Sequence, residues 1–374
     1  MSDVNRWWPI IASSGVLSLA LLGDALIYAV LPVHAESFGI SLVWVGVLLS
    51  ANRFVRVFAY GWVAQLTQRF GMRRMCIVAA TGSVISTAMY GVVQGEALLL
   101  FARVLWGLSY AVFVLVTLSY AVEHRASAGT RVGWSRSIQR IGPIVALLAG
   151  AWLTTVLGPR AVFVVLGAIT CLAIPLAWSL PRDPSVREGA KRQAALGRPK
   201  PVDCLFFLQG LGVDGVFALS ITIILADRYD LSTAILSGGA LLALRHLGEA
   251  IAAPLFGAIG DRFGAARVFA LSGSITAVGF VLVAADFTVT GAVLMLVFRG
   301  ALASLGPATI VQATGREDSV MAPLARMQAW RDLGAAIGPL GTGFAISIVS
   351  PQFLHGAVAL MLMLSIAWWW RTHT

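Results

Sequence analysis

A chain of 374 residues that is 58% hydrophobic and only 12% charged, with a mean hydropathy of +0.85, has too little polar surface to be a water-soluble globule. Its net charge of +10 would suggest nucleic acid in a soluble protein, but here the placement of the charges decides their meaning. Cys76, Cys171 and Cys204 stand singly in or beside apolar runs, without the paired spacing of disulfides or metal sites, and read as lipid-phase packing residues.

In chain order, apolar runs fall near 9–33, 42–65, 75–94, 97–122, 134–157, 162–180, 204–226, 233–258, 268–287, 290–313, 327–349 and 353–370. A helix needs ~20 mostly apolar residues to cross ~30 Å of hydrocarbon, so these runs predict twelve transmembrane helices. They are continuous and rich in Leu, Ala, Val and Gly, unlike the alternating strands of a membrane barrel. The short polar stretch 1–8 before a long first run predicts a retained helix rather than a cleaved signal peptide. Between the sixth and seventh runs, 181–202 is polar, proline-rich and carries six Lys or Arg. It reads as a cytoplasmic linker between two six-helix bundles, 1–180 and 203–374.

If the N-terminus is cytoplasmic, seventeen loop cations fall on that side, among them Arg6, Arg125, Arg131, Arg187, Lys191, Arg192, Arg316, Arg326 and Arg371. Only Arg160 and Arg228 fall on the other. Basic loops resist translocation, so this bias predicts both termini in the cytoplasm and an even number of spans, with a bacterial inner membrane as the expected location. The basic linker is expected to contact anionic lipid headgroups or to enforce topology, and nucleic acid is not an expected partner.

The two halves repeat in features as well as in helix count. Asp24 in Leu22-Gly23-Asp24 is echoed by Asp214 in Gly212-Val213-Asp214. The loop Gln68-Arg69-Phe70-Gly71-Met72-Arg73-Arg74 returns as Asp261-Arg262-Phe263-Gly264-Ala265-Ala266-Arg267. Through these loops the chain resembles the major facilitator superfamily, whose signature is Gly-x-x-x-Asp-Arg-x-Gly-x-x-Arg/Lys. Gly257, Asp261, Arg262, Gly264 and Arg267 fit that signature, and in the family this loop latches one conformation. In the first copy Gln68 replaces the acid and Ala64 the leading glycine, so that latch is expected to be weaker or to use neutral hydrogen bonds. Arg103 with Gly107 resembles the family's Arg-x-x-x-Gly element, and Arg299 occupies the matching place on helix ten. Gly334-x-x-x-Gly338-Pro339, and Gly133 with Gly142-Pro143, look like the glycine-proline motif of the family's exporters, although Arg140 intrudes in the second. The resemblance spans the chain and implies an all-α fold of two pseudo-symmetric six-helix bundles.

Eight arginines lie within the runs: Arg53, Arg56, Arg103, Arg136, Arg140, Arg245, Arg299 and Arg331. An arginine near the bilayer centre costs ~2.5–3.5 kcal/mol on insertion scales, so such residues should face a partner or a polar cavity. Acids at comparable depth are Asp24, Asp214, Glu249 and Asp332, while Glu123 lies near a helix end. Arg53 and Arg56 lie three apart on one helical face and repel, which calls for a shared anion. Arg245 and Glu249, four apart, are able to pair with each other, whereas adjacent Arg331 and Asp332 point differently. Arg103 and Arg299 either tie helices together or line the substrate site, and Arg136 is expected at the cytoplasmic edge. Asp24 and Asp214 either bind a proton or a cationic group, or neutralise an arginine. Arginine does not titrate, so proton coupling would fall to an acid, with His246 a minor candidate. Trp7, Trp8, Trp368, Trp369 and Trp370 flank helix ends as interfacial anchors, leaving Trp106 and Trp330 as expected cavity-lining aromatics.

The expected function is secondary active transport by alternating access, proton-coupled, of a small anionic carboxylate- or phosphate-bearing solute. Arg53, Arg56, Arg103, Arg140, Arg299 and Arg331 are the candidate clamp, with Trp106 and Trp330, and Asp24, Asp214, Glu249 and Asp332 the candidate proton carriers. A planar guanidinium suits carboxylate and phosphate because it donates two parallel hydrogen bonds. The alternatives are a proton-coupled multidrug exporter, favoured by the glycine-proline elements, and a non-transporting receptor or scaffold. No nucleophile with a base and no nucleotide loop points to an enzyme, and scattered Met and His do not favour a metal permease. The expected partners are a small-molecule substrate, protons and membrane lipids, with no cofactor and no metal, and the expected state is a monomer.

Overall fold

The computed structural model describes residues 3–182, 196–314 and 319–373, so Arg187, Lys191, Arg192, Arg316 and most of the expected linker lie outside the described residues. Among those described, the chain is helical throughout. In the first half run α1 (Asp3–Val30), α2 (Leu42–Phe70), α3 (Met72–Val92), α4 (Glu96–Val122), α5 (Arg125–Leu157) and α6 (Ala161–Trp178). In the second run α7 (Pro201–Ala226), α8 (Leu231–Phe263), α9 (Ala265–Ala284), α10 (Thr288–Ala313), α11 (Met321–Ala345) and α12 (Pro351–His373). Ten of these are long and apolar enough to cross a membrane. The other two, α8 and α11, each carry an arginine and a carboxylate near mid-helix. π-Helical stretches interrupt α5 at Ala146–Gly150 and α7 at Gly210–Phe217.

Several helix ends differ from their apolar runs, those of α5, α8 and α11 among them. α5 begins before residue 134 and takes in Arg131, which is buried rather than in a loop; Arg136, expected at the edge, is buried as well. α8 continues past 258 to Phe263, and α11 starts at Met321, so Arg326 is helical and not in a loop. Hydrophobicity alone misses these turns because their polar residues are held by other side chains. Arg326 Nε donates to Asp203 Oδ2 at 2.7 Å, for example, and Asp203 also accepts from the Lys200 backbone N–H.

The chain packs as two units, Met1–Ala121 with Ile138–Ala195, and Val122–Ser137 with Leu196–Thr374. The first turns of α5 therefore pack within the second unit. Within the first unit, an apolar cluster at one end joins Leu26 and Val30 of α1, Leu48 of α2, Tyr90 of α3 and Phe163 of α6. The Phe163 ring stands edge-on to Tyr90 and Phe38, with centroids 5.6 and 6.1 Å away.

Without water to drive association, membrane helices pack through small residues. Gly142 of α5 lies against Ser18 of α1, and its N–H donates to Ser18 Oγ at 2.8 Å. In the second unit Gly334 and Gly338 of α11 lie against Phe207, Leu211 and Gly215 of α7, leaving no room for a Cβ. The glycine-proline elements thus bring backbones together in both units. The paired loops share a turn geometry: Gly71 and Gly264 have φ of +89° and +96°, a region that only glycine enters cheaply.

Candidate functional site

In the second unit, four helices converge their ionised groups. Asp214 of α7 accepts from Arg245 of α8 at 2.9 Å and from Arg299 of α10 at 3.4 Å, and lies 3.9 Å from Arg331 of α11. Arg299 also donates to Glu249 at 2.7 Å, and Arg331 donates to Asp332 at 3.3 Å. Three guanidiniums thus meet three carboxylates. The close approach of Gly300 to the Glu249 backbone brings α10 against α8 and sets Arg299 beside its acid. Arg245 and Glu249 share a face, as their spacing requires, but reach different helices: Arg245 to α7 and Glu249 to α10. Arg331 and Asp332 do not point apart, because the long arginine stem folds back on its neighbour. His246 beside them is half-buried.

In the first unit the counterpart is centred on Arg103 of α4, which is 1% exposed. Its Nε donates to the Leu48 carbonyl of α2 at 2.9 Å, and its terminal nitrogens donate to Asp24 at 2.7 Å, to Tyr28 at 3.3 Å and to Tyr90 at 3.4 Å. Asn52 Nδ2 completes the shell of Asp24 at 3.5 Å. Gly107, one turn further along α4, rests on the Asn52 backbone, and that contact brings Arg103 within reach of α2. Arg56 stacks over the Tyr110 ring at 4.3 Å, and Tyr110 in turn lies 5.9 Å from Trp106. Arg53 and Arg140 are half-buried.

The two tryptophans differ from expectation in one respect. Trp106 is packed to 1% exposure and lines no open space, although its indole N–H has no hydrogen-bond partner. Trp330 is half-buried, edge-on to Phe207 at 6.1 Å.

The residue composition of the two units differs in charge. The apolar runs of the first unit carry Arg53, Arg56, Arg103 and Arg140 and one acid, Asp24, which pairs with Arg103; in the second unit, which also holds Arg136, the inner cluster sets Arg245, Arg299 and Arg331 against Asp214, Glu249 and Asp332.

The signature loop makes its own contacts in the second unit. Asp261 accepts from the backbone N–H groups of Gly129 and Thr130, both at 2.8 Å, and from the Thr130 hydroxyl at 2.6 Å. A carboxylate there satisfies the orphan donors at the start of α5 and meets the positive end of its dipole. Gly257 and Gly129 touch backbone to backbone, which explains the leading glycine of the signature. Arg262 lies over Phe263 at 5.3 Å, as Arg69 lies over Phe70 at 5.4 Å in the first copy. Arg125, which the sequence alone left in a loop, donates to the carbonyls of Val311 and Thr314 and caps the far end of α10. We expect Asp261→Ala to cost ~1–2 kcal/mol, read as a lower melting temperature in detergent, with Asp261→Asn between it and wild type. An unchanged Asp261→Ala melt would remove the cap from this account.

Residues 14–206 and 202–374 each match the sequence family described as Major Facilitator Superfamily. The Multidrug resistance protein MdtG of Proteus mirabilis is 25% identical, with 93% of this chain and 91% of that protein aligned. Two crystal structures share the fold at 14% identity. The human organic anion transporter MFSD10 superposes with a TM-score of 0.80 over 99% of this chain and 100% of that one. The E. coli Fucose:proton symporter FucP does so with 0.77 over 98% of each.

Proposed function

The chain belongs to the major facilitator superfamily and is a multi-pass membrane transporter, not an enzyme, and from that premise we infer that it moves a small organic anion by proton-coupled alternating access. The observation that carries the anion reading is the charge of the first unit, where four mid-helix arginines accompany one carboxylate. Arginine keeps its charge at any working pH, so the excess is permanent and is best offset by a negatively charged solute. Arg56, stacked on Tyr110, and Arg53, one turn away, are the proposed clamp, with Arg140, Arg299 and Arg331 contributing. Trp330 is the proposed aromatic contact, and Trp106 supports Tyr110 from behind.

Asp24, Asp214, Glu249 and Asp332 are the groups available to carry a proton, because each is an acid inside one of the twelve long helices. Neutralising Asp24 releases Arg103 from its strongest partner, and neutralising Asp214 loosens Arg245 and Arg299 together, so protonation and helix contacts are linked. The latch residues Gly257, Asp261, Arg262, Gly264 and Arg267 hold α8 to the start of α5 in this reading. We assign the working halves as 1–180 and 203–374 joined by 181–202, with both termini cytoplasmic in a bacterial inner membrane, and a monomer as the functional unit.

A second reading, drug export, is favoured by one observation, the similarity to a multidrug resistance protein. Uptake of labelled anionic and lipophilic cationic solutes into proteoliposomes under a pH gradient separates the two. Arg53→Gln and Asp24→Asn are each expected to cut anion uptake by roughly tenfold or more, the loss of one charge-assisted contact. Cation movement that ignores Arg53 would discard the anion reading in favour of export.

A further inference from the structure

We propose that the first unit carries a dedicated binding site for one anionic phospholipid, in a pocket where the ends of α2 and α6 meet the start of α3. The pocket has a volume of about 560 Å³, room for a glycerophosphate head and the first methylenes of its chains. Arg73, Arg74 and Arg182 supply three guanidiniums to its wall, and no carboxylate is among its lining residues. The remaining wall is apolar, formed by Phe70, Ile77, Val78 and Trp178, with Gly71 at the turn.

The arrangement has the polarity of a lipid rather than of a free ion. Arg73 lies over the Trp178 ring at 5.6 Å, which holds a cation against an apolar surface. Val78 and Trp178 are exposed, at 65% and 57%, and stand beside the cations on the outer face of the bundle. Such side chains fit acyl methylenes, whereas inorganic phosphate would leave them bare. α3 begins at Met72, but the negative ends of α2 and α6 meet its positive end here, so the field of the pocket is that of the three arginines. Trp8, whose indole N–H donates to the Ser179 carbonyl next to Trp178, and Trp178 itself mark the depth of the headgroup region, where amphipathic indoles settle. The second copy of this loop reads Ala265-Ala266-Arg267 where the first reads Met72-Arg73-Arg74, so it lacks the doubled cation and the site belongs to the first half alone.

The test uses the full chain purified in detergent and measures lipid adducts by native mass spectrometry. Dioleoyl phosphatidylglycerol, dioleoyl phosphatidylcholine and inorganic phosphate are added in separate arms. The expected result is one phosphatidylglycerol retained in preference to phosphatidylcholine by about tenfold or more, from cations that each act by roughly a factor of five near a surface. Phosphate should neither bind measurably nor displace the lipid. Arg73→Gln with Arg74→Gln and Arg182→Gln together should abolish the preference, while Lys at the same three positions should keep most of it. A preference unchanged by the glutamine variant, or retention of phosphate in place of lipid, overturns the site. Should the triple variant fail to fold, photoactivatable phosphatidylglycerol on the wild-type chain decides the matter. Cross-links within 70–78 and 178–182 are expected, and cross-links confined to other segments refute the assignment.

Discussion

Arg299→Gln is expected to lower stability by ~3–5 kcal/mol and to abolish transport, the largest effect of any single substitution considered. Arg299 is buried, 2.7 Å from the buried Glu249 and 3.4 Å from the half-buried Asp214. Removing the shared cation leaves two carboxylates in a low-dielectric interior with their compensation reduced, and that desolvation is what makes breaking a buried pair so costly. The loss should appear as a strong fall in melting temperature. The companion variant Arg299→Gln with Glu249→Gln should recover a large part of it, because the second change removes the charge that the first exposed. Strictly additive losses in that double-mutant cycle would show that the two residues do not act as a pair.

Arg103→Lys, which conserves charge, is expected to cost at least ~2 kcal/mol and most of the transport rate. The guanidinium spans four acceptors on three helices: the Leu48 carbonyl on α2, Asp24 and Tyr28 on α1, and Tyr90 on α3. A lysine ammonium has three donors on one atom and cannot bridge that spread. Melting temperature and anion uptake measured side by side check this. A lysine variant with wild-type uptake would mean that charge alone is required there, and would demote the fork geometry to packing.

Much of the architecture was legible in the sequence because membrane helices are written in composition. Twelve apolar runs, the doubled Asp24 and Asp214, and the glycine turn of the signature loop all lead to the observed elements. Their ends were less legible. Arg131 and Arg326 look like loop cations until Asp261 and Asp203 are found capping and pairing the extra turns.

The inner charges were legible as a set but not as pairs. Helical spacing places Arg245 and Glu249 on one face, yet only the packing of α7, α8 and α10 decides that Arg245 meets Asp214 while Glu249 meets Arg299. Asp203 was passed over altogether, since an acid at the first turn of a helix next to a basic linker reads as a simple cap; its pairing with Arg326 depends on a contact between α7 and α11. Trp106 carried the same ambiguity. A tryptophan one turn from a buried arginine faces either open space or the core, and here the core wins.

The π-helical stretch Gly210–Phe217 has a consequence for Asp214, which sits inside it. A π turn stores one surplus residue, and a chain relieves that surplus by passing it along, exchanging i→i+5 bonds for i→i+4 bonds one at a time. Each residue it passes is turned by ~100° and slid by ~1.5 Å, with no break in the helix. Gly210 and Gly215 of the same stretch lie against the backbone of α11 with no room for a Cβ, so such a passage requires α7 to part from α11 first. For Asp214 such a step would be a change of address, carrying the carboxylate away from Arg245 and Arg299 only where α7 has come off α11. The glycines around its acid are thus the wards of the lock, holding α7 at one setting for as long as the two helices stay packed.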